Sequence, residues 1–401
     1  MRDVLRALHR NRNACLTIAF LLLCVGVFLV PTGFEGKVDN KAIRCRGRVT
    51  AVDDSQVFRH GMVRSGDQTV ELELLDGPRA GETVQGNNPL LGQMDRDKLF
   101  REGDTALVVL SLRPDGAIRF VNPQEHYRIG TELLLLGLFA LFLIAFGGWT
   151  GFKALLSFVF AGLVIWRILV PLLLKGWNPI LVTLAVVSFL CAAIIFLVAG
   201  ITRKGLVAFL GSFLGVLTGC GLALYFTSAL HLRGAVLPFA ETMLYAGFGH
   251  LDLNQIFVAA VFLACSGAVM DLAMDVSASM DEVARNHPEI GRRELIRSGC
   301  NVGRAVVGTM TTTLLLAYSA GYITMLMVFM ARGVPLTNTI NLVYVAAEVA
   351  KTLAGSFGMV AVAPFTALVG GFVFRTKPAA VAAQTHAPQP VSPRAEPARM
   401  R

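Results

Sequence analysis

Apolar residues in this chain gather into long runs, and only between the first and second runs does the pattern change to alternation. The runs occupy residues 14–30, 131–147, 152–173, 179–200, 205–227, 253–275, 305–330 and 353–374. Several reach the roughly 20 residues needed to cross a hydrocarbon core of about 30 Å. Residues 35–128 read differently. Val49/Ala51, Val70/Leu72/Leu74 and Leu107/Val109 alternate as half-buried strands do. Asp76-Gly77-Pro78, Gly86-Asn87-Asn88, Glu102-Gly103-Asp104 and Pro114-Asp115-Gly116 read as turns between them. The pattern predicts an α-helical polytopic membrane protein of about eight transmembrane helices, with a small β-rich domain inserted after the first. Residues 1–34 hold a basic N-terminus and the first helix, and 35–128 an OB-like barrel or sandwich. Residues 129–376 hold seven helices. The Pro- and Ala-rich tail 377–401 has too little apolar surface to fold and is expected to be disordered.

Composition agrees: 54% of the 401 residues are hydrophobic and 16% charged, well outside ordinary soluble usage. A formal charge of +9 would point to nucleic acid if the basic residues shared one folded surface. Instead they sit at the ends of alternate runs, as in Arg2, Arg6, Arg10 and Arg12, then Arg203 and Lys204, then Arg285, Arg292, Arg293 and Arg297. That bias predicts cytoplasmic N- and C-termini and an extracytoplasmic β-domain, with the lipid bilayer as partner and no nucleic acid. The basic N-terminus and short apolar run also fit a cleaved signal peptide. No small-residue cleavage site follows Val30, so an uncleaved first span is expected.

The candidate chemistry lies in the sixth and seventh runs. At about 100° per residue, Gly267, Asp271, Asp275, Ala278 and Glu282 share one helix face. Ionisable groups near hydrocarbon are costly and mark functional sites. Carboxylates at i and i+4 repel, so a cation or a shared proton is expected between Asp271 and Asp275. Arg304 is the expected cation: it opens the returning helix at similar depth, and its planar fork suits paired carboxylates. Beyond it, Gly308, Thr311, Tyr318 and Tyr322 continue the face, with Asn301, Thr312 and Ser319 beside them. Such a stripe reads as a polar seam for a small solute or ion. The competing reading is that its hydroxyls bond the preceding turn and act only as glue between helices.

Other features carry less. Gly211, Gly215 and Gly219 form a ridge for close helix packing. Residues 228–252 and 331–352 read as interfacial helices or as re-entrant half-helices packed by protein, with a break expected at Gly355. His231, Glu241, His250 and Asp252 match no metal-site spacing. The seven cysteines show no C-x-x-C pair. No catalytic, cofactor-binding or metal-binding constellation is expected.

Three stretches carry a resemblance: GAVMDLAMDVSASMDEV (267–283), SGCNVGRAVVGTMTTTLLLAY (298–318) and VAAEVAKTLAGSFGMVAVAPFTAL (345–368). They resemble the YibE/F-like family of bacterial membrane proteins. The resemblance implies a multi-pass protein of the bacterial plasma (inner) membrane and specifies no reaction. It marks Asp271, Gly303, Arg304, Gly308, Thr309 and Glu348 as motif positions, and Glu348 joins the candidate seam on that account. The family pattern has Asp after Gly-Arg and Asn in the M-T-x-T step, where this chain has Ala305 and Thr312. The expectation is a permease-like protein without enzymatic activity. The alternative is a scaffold or signalling subunit whose β-domain binds a protein partner.

Overall fold

A computed structural model describes residues 2–37 and 42–374, with side chains from Cys15 onward; the tail 377–401 lies outside the described residues. The chain divides into two compact units, Pro31–Leu155 and the remainder.

In the first unit the alternating pattern becomes five antiparallel strands: β1 (Ile43–His60), β2 (Val63–Leu74), β3 (Thr83–Leu91), β4 (Thr105–Leu112) and β5 (Ile118–His126). They lie in the order β3-β2-β1-β4-β5. Val70, Leu72 and Leu74 of β2 point inward against Val49, Val108 and Leu110. Two bulges, at Val49/Ala51 and Asp53/Gln56, bend the long β1 so that it serves two neighbours. The predicted turns at 76–78, 102–104 and 114–116 fall between strands. The one predicted at Gly86-Asn87-Asn88 does not; those residues lie inside β3. Gly86 is there because β5 comes close: a Cβ at this position would stand 2.9 Å from Pro123 Cδ. That approach brings the two edge strands together, and the sheet nearly closes into a barrel.

A helical run follows, α2 (Ile129–Val164), a π-helical turn at Ile165–Leu169, and α3 (Val170–Leu174). It joins the second and third expected spans into one 46-residue stretch. Gly148 breaks it, with φ 54° and ψ −127°, a conformation that only glycine adopts readily.

The second unit is a helix bundle. Its members are α1 (Arg2–Leu29), α4 (Pro179–Ala199), α5 (Arg203–Ala229), α6 (Ala240–Tyr245), α7 (Leu253–Asn286), α8 (Arg292–Ser319), α9 (Ile323–Ala331), α10 (Leu336–Asn341) and α11 (Val343–Val373). Side chains start the main helices where the sequence changes character. Asn178, Thr202 and Asp252 accept from the first free backbone amides of α4, α5 and α7. The core joins α4, α5, α7, α8 and α11 around Phe262, Val269, Leu272, Val276 and Met359. The glycine ridge packs α5 on α11: a Cβ on Gly215 would lie 2.9 Å from Val362 Cβ, and one on Gly211 would collide with the Thr366 hydroxyl.

Among the described residues five helices are long and apolar enough to cross a membrane, with the bent pair α8–α9 a sixth. The remaining expected span, residues 14–30, corresponds to the shorter apolar helix Cys15–Leu29. The run expected at 305–330 turns by 66° between Ser319 and Ile323. Gly355 is no break, because α11 runs straight through it. A methyl group at this position would stand 3.1 Å from Cys265 Cβ, so the glycine serves close packing of α11 on α7. The chain breaks instead at Leu342, whose extended φ/ψ separates α10 from α11.

Candidate functional site

Helix α7 is two-sided. Val269, Leu272, Ala273 and Val276 are fully buried, whereas Gly267, Asp271, Asp275 and Glu282 lie exposed on the other side. At 1.5 Å per residue Asp271 stands about 27 Å along α7 from Leu253, close to the far end of a bilayer crossing. Helix α8 returns antiparallel with its own division. Gly299 and Gly303 are buried, a Cβ on the second standing 2.5 Å from Ala363 of α11. Arg304, Gly308, Thr309 and Thr312 are exposed, and Thr311 is half-buried. Gly303 also faces Val276, 3.8 Å from its Cβ position, so the neighbouring Asp275 and Arg304 stand at one level.

The level is as the sequence predicts, but the expected ion pair is not formed within the chain. Arg304 Nη1 donates to Asn301 Oδ1 at 3.4 Å, one turn back, and no described ion pair joins it to Asp271 or Asp275. The reason is rotational: packing of Gly299 and Gly303 on α7 and α11 turns Arg304 outward, and the acids turn outward likewise. The threonine hydroxyls of α8 bond within their own helix. Those of Thr309, Thr311, Thr312 and Thr313 donate to carbonyls three or four residues back, at 2.7–3.2 Å.

Tyr318 and Glu348 form a separate cluster. Glu348 Oε2 lies 2.5 Å from Lys351 Nζ, one turn along α11, and that ammonium stands 5.6 Å from the centre of the Tyr318 ring. The Tyr318 hydroxyl and Thr352 Oγ1 are buried without a hydrogen-bond partner. Lys351 was missed from sequence because it reads as a loop cation; its i, i+3 spacing from Glu348 was the available signal. Of the eight seam residues, Asp271, Asp275, Arg304, Gly308 and Thr312 are exposed and Thr311 is half-buried, whereas Tyr318 and Glu348 are linked through Lys351. A cavity of about 900 Å³ lies elsewhere, against α10, with His231, Asn338 and Asn341 in its lining.

The loop polars have local duties. Asp252 caps α7, and His250 Nε2 is 3.3 Å from the Leu174 carbonyl. Among the described residues no three of His, Cys, Asp and Glu are placed to hold a metal ion.

A helical bundle with several membrane-length apolar helices, joined to a near-barrel of antiparallel strands, defines a membrane-embedded protein with an appended β-domain. The chain belongs to the YibE/F-like protein family, whose model matches residues 135–376. That match covers the chain from within α2 through α11 and leaves α1 and the β-domain outside it. Neither the curated proteins nor the solved structures contain a match.

Proposed function

We propose that this protein is a permease-like component of the bacterial plasma membrane that moves a small solute or ion along the exposed polar face of α7 and α8. In this reading it crosses the bilayer about eight times, with both termini cytoplasmic and the β-domain outside. The observation that carries it is the level alignment of Asp275 with Arg304 beside Asp271. Ionisable groups at membrane depth seldom face lipid, and where they occur they mark ion or proton paths. Asp271 and Asp275 handle the cation or proton, Arg304 sets the local potential, and the threonine oxygens of α8 offer acceptors along the way. The scheme involves no chemical change of the solute; where a proton is carried, a carboxyl O–H bond forms on uptake and breaks on release. The test is Asp271→Asn with Asp275→Asn in proteoliposomes, screened for pH-gradient-driven and cation flux. Loss of flux supports the reading, and unchanged flux of an identified solute ends it.

A second reading has its own support. Phe58 and Met62 at the β1–β2 hairpin, Leu91 at the end of β3 and Met94 just beyond it are all more than 60% exposed at one end of the barrel. Apolar groups gathered in this way mark protein-binding surfaces. On this reading the protein is a scaffold or signalling subunit. Removing residues 38–126 then abolishes its function, and the two Asp→Asn changes do not.

A further inference from the structure

The polar face of α7 and α8 has a property that transport alone does not require: it carries both signs of charge, and among the described residues no ion pair joins them. Asp275 and Arg304 stand at one level, both exposed, and among the described residues Arg304 bonds Asn301. Between and beside them the surface is low. Gly267 and Gly308 each have open space where a Cβ would be, with nothing within 4 Å. At 1.5 Å per residue Asp275 and its level partner Arg304 stand about 33 Å along α7 from Leu253, at the edge of the hydrocarbon core, where two opposite charges flanked by small residues offer a surface complementary to a protein partner.

We propose that the cover is a second copy of this chain, docked α7–α8 against α7–α8 about a two-fold axis along the membrane normal. Two copies with one topology present the same residues at the same depth. Under a two-fold axis each Asp275 meets the partner's Arg304, and the contact repeats itself once across the axis. A face with only acids would need a different protein; this one is complementary to itself in charge. The glycines let the helix backbones approach as small residues do in membrane interfaces. Asp271, one turn from Asp275, is then brought near the axis, where two like carboxylates share a proton or a cation. The inference rests on the same membrane placement of α7 and α8 as the proposed function, and it names the partner that completes that face.

The experiment measures the mass of the full-length protein in nanodiscs. The wild type is expected as a dimer. Asp275→Arg and Arg304→Asp alone each set like charges opposite one another and are expected to lower the dimer fraction at least tenfold. The double variant Asp275→Arg/Arg304→Asp restores the pairing with the signs exchanged and is expected to return the dimer. Should the single variants misfold, oxidative cross-linking decides: Gly308→Cys is expected to trap the dimer above the wild-type background, and Leu353→Cys, exposed on α11, is not. A monomeric wild type, a dimer indifferent to the single reversals, a cross-link from Leu353→Cys alone, or a mass fitting one copy with a different protein overturns the inference. Mass is read apart from flux. A monomer that still transports ends this inference alone, and a dimer with no flux ends the transport reading alone.

Discussion

Lys351 sits one turn beyond Glu348 on α11 and holds its carboxylate at 2.5 Å, with each side chain only about a quarter exposed. An exposed helix pair contributes less than about 1 kcal/mol, and breaking a fully buried one costs about 3–5 kcal/mol. This pair lies between those limits. Lys351→Met is expected to destabilise the bundle by about 1–2 kcal/mol, leaving Glu348 unpaired and the Tyr318 ring without its cation. Glu348→Gln added to it should cost less than the sum of the two single changes. A double-mutant cycle from denaturation in detergent reads the coupling, and additive effects would show the pair to be incidental.

The glycine ridge of α5 leaves no room for side chains where it crosses α11. Gly211→Val and Gly215→Leu are expected to lower stability by about 1–3 kcal/mol or more through overpacking. Gly221→Ala, on the same helix but facing open space, is the control and should change little. Equal melting temperatures for all three would mean that α5 and α11 do not meet as described.

Gly148 is a different kind of glycine. Its φ of 54° and ψ of −127° place it where a Cβ is strained. Gly148→Ala is expected to cost about 1–3 kcal/mol, or to straighten the run between Ile129 and Val164. Spin-label distances across the break, between positions 141 and 155, distinguish a lost bend from a retained one; an unchanged distance with unchanged stability contradicts the assigned conformation.

What the sequence disclosed followed from periodicity. Four-residue spacing puts Gly211, Gly215 and Gly219 on one face whatever they pack against, and two-residue spacing does the same for Val70, Leu72 and Leu74. Depth was legible too, since counting along two antiparallel helices brings Asp275 level with Arg304. Rotation about the helix axis was not legible. It is set by which small residues α11 accepts, here Gly299 and Gly303, and no count along α8 reveals that choice. Local turn chemistry failed at Gly86-Asn87-Asn88 for a related reason. Glycine serves a tight turn and a close strand crossing equally well, and only the position of β5 distinguishes them.

Asn88 belongs to a buried network that pins the connection between β3 and β4. Gln68, 1% exposed, accepts from the Phe100 amide at 3.0 Å and from Asn88 at 3.1 Å. Its own amide donates to the Phe100 carbonyl at 3.1 Å and to Asp54 at 2.8 Å. Gln68→Leu fills the space but orphans the Phe100 groups, each at about 1–3 kcal/mol. The β-domain is expected to lose several kcal/mol, first seen as faster hydrogen exchange at the Phe100 amide. Normal protection there would show that the network contributes little.

Arg46 and Asp76 give the β-domain a dependence on acid. Asp76 Oδ1 accepts from the Arg46 backbone amide at 2.6 Å, and Oδ2 from Arg46 Nε at 2.8 Å. Those hydrogen bonds, the backbone one first, hold the Asp76 carboxyl below the usual carboxylate range. A group whose value falls on folding favours the folded state above its unfolded value, about 3.9. That contribution fades as pH drops through the lower folded value. Both side chains are more than 40% exposed, so solvent screens the effect and its size is modest. Strand β1 in the wild type should therefore be better protected at pH 6 than at pH 3, after correction for intrinsic exchange rates. In Asp76→Asn protection at pH 6 should be lower and its fall toward pH 3 shallower, because one of the titrating groups behind the fall is gone. Hydrogen exchange by mass spectrometry on peptides spanning Ile43–His60 reads both, and identical profiles for the two proteins would remove Asp76 from the account.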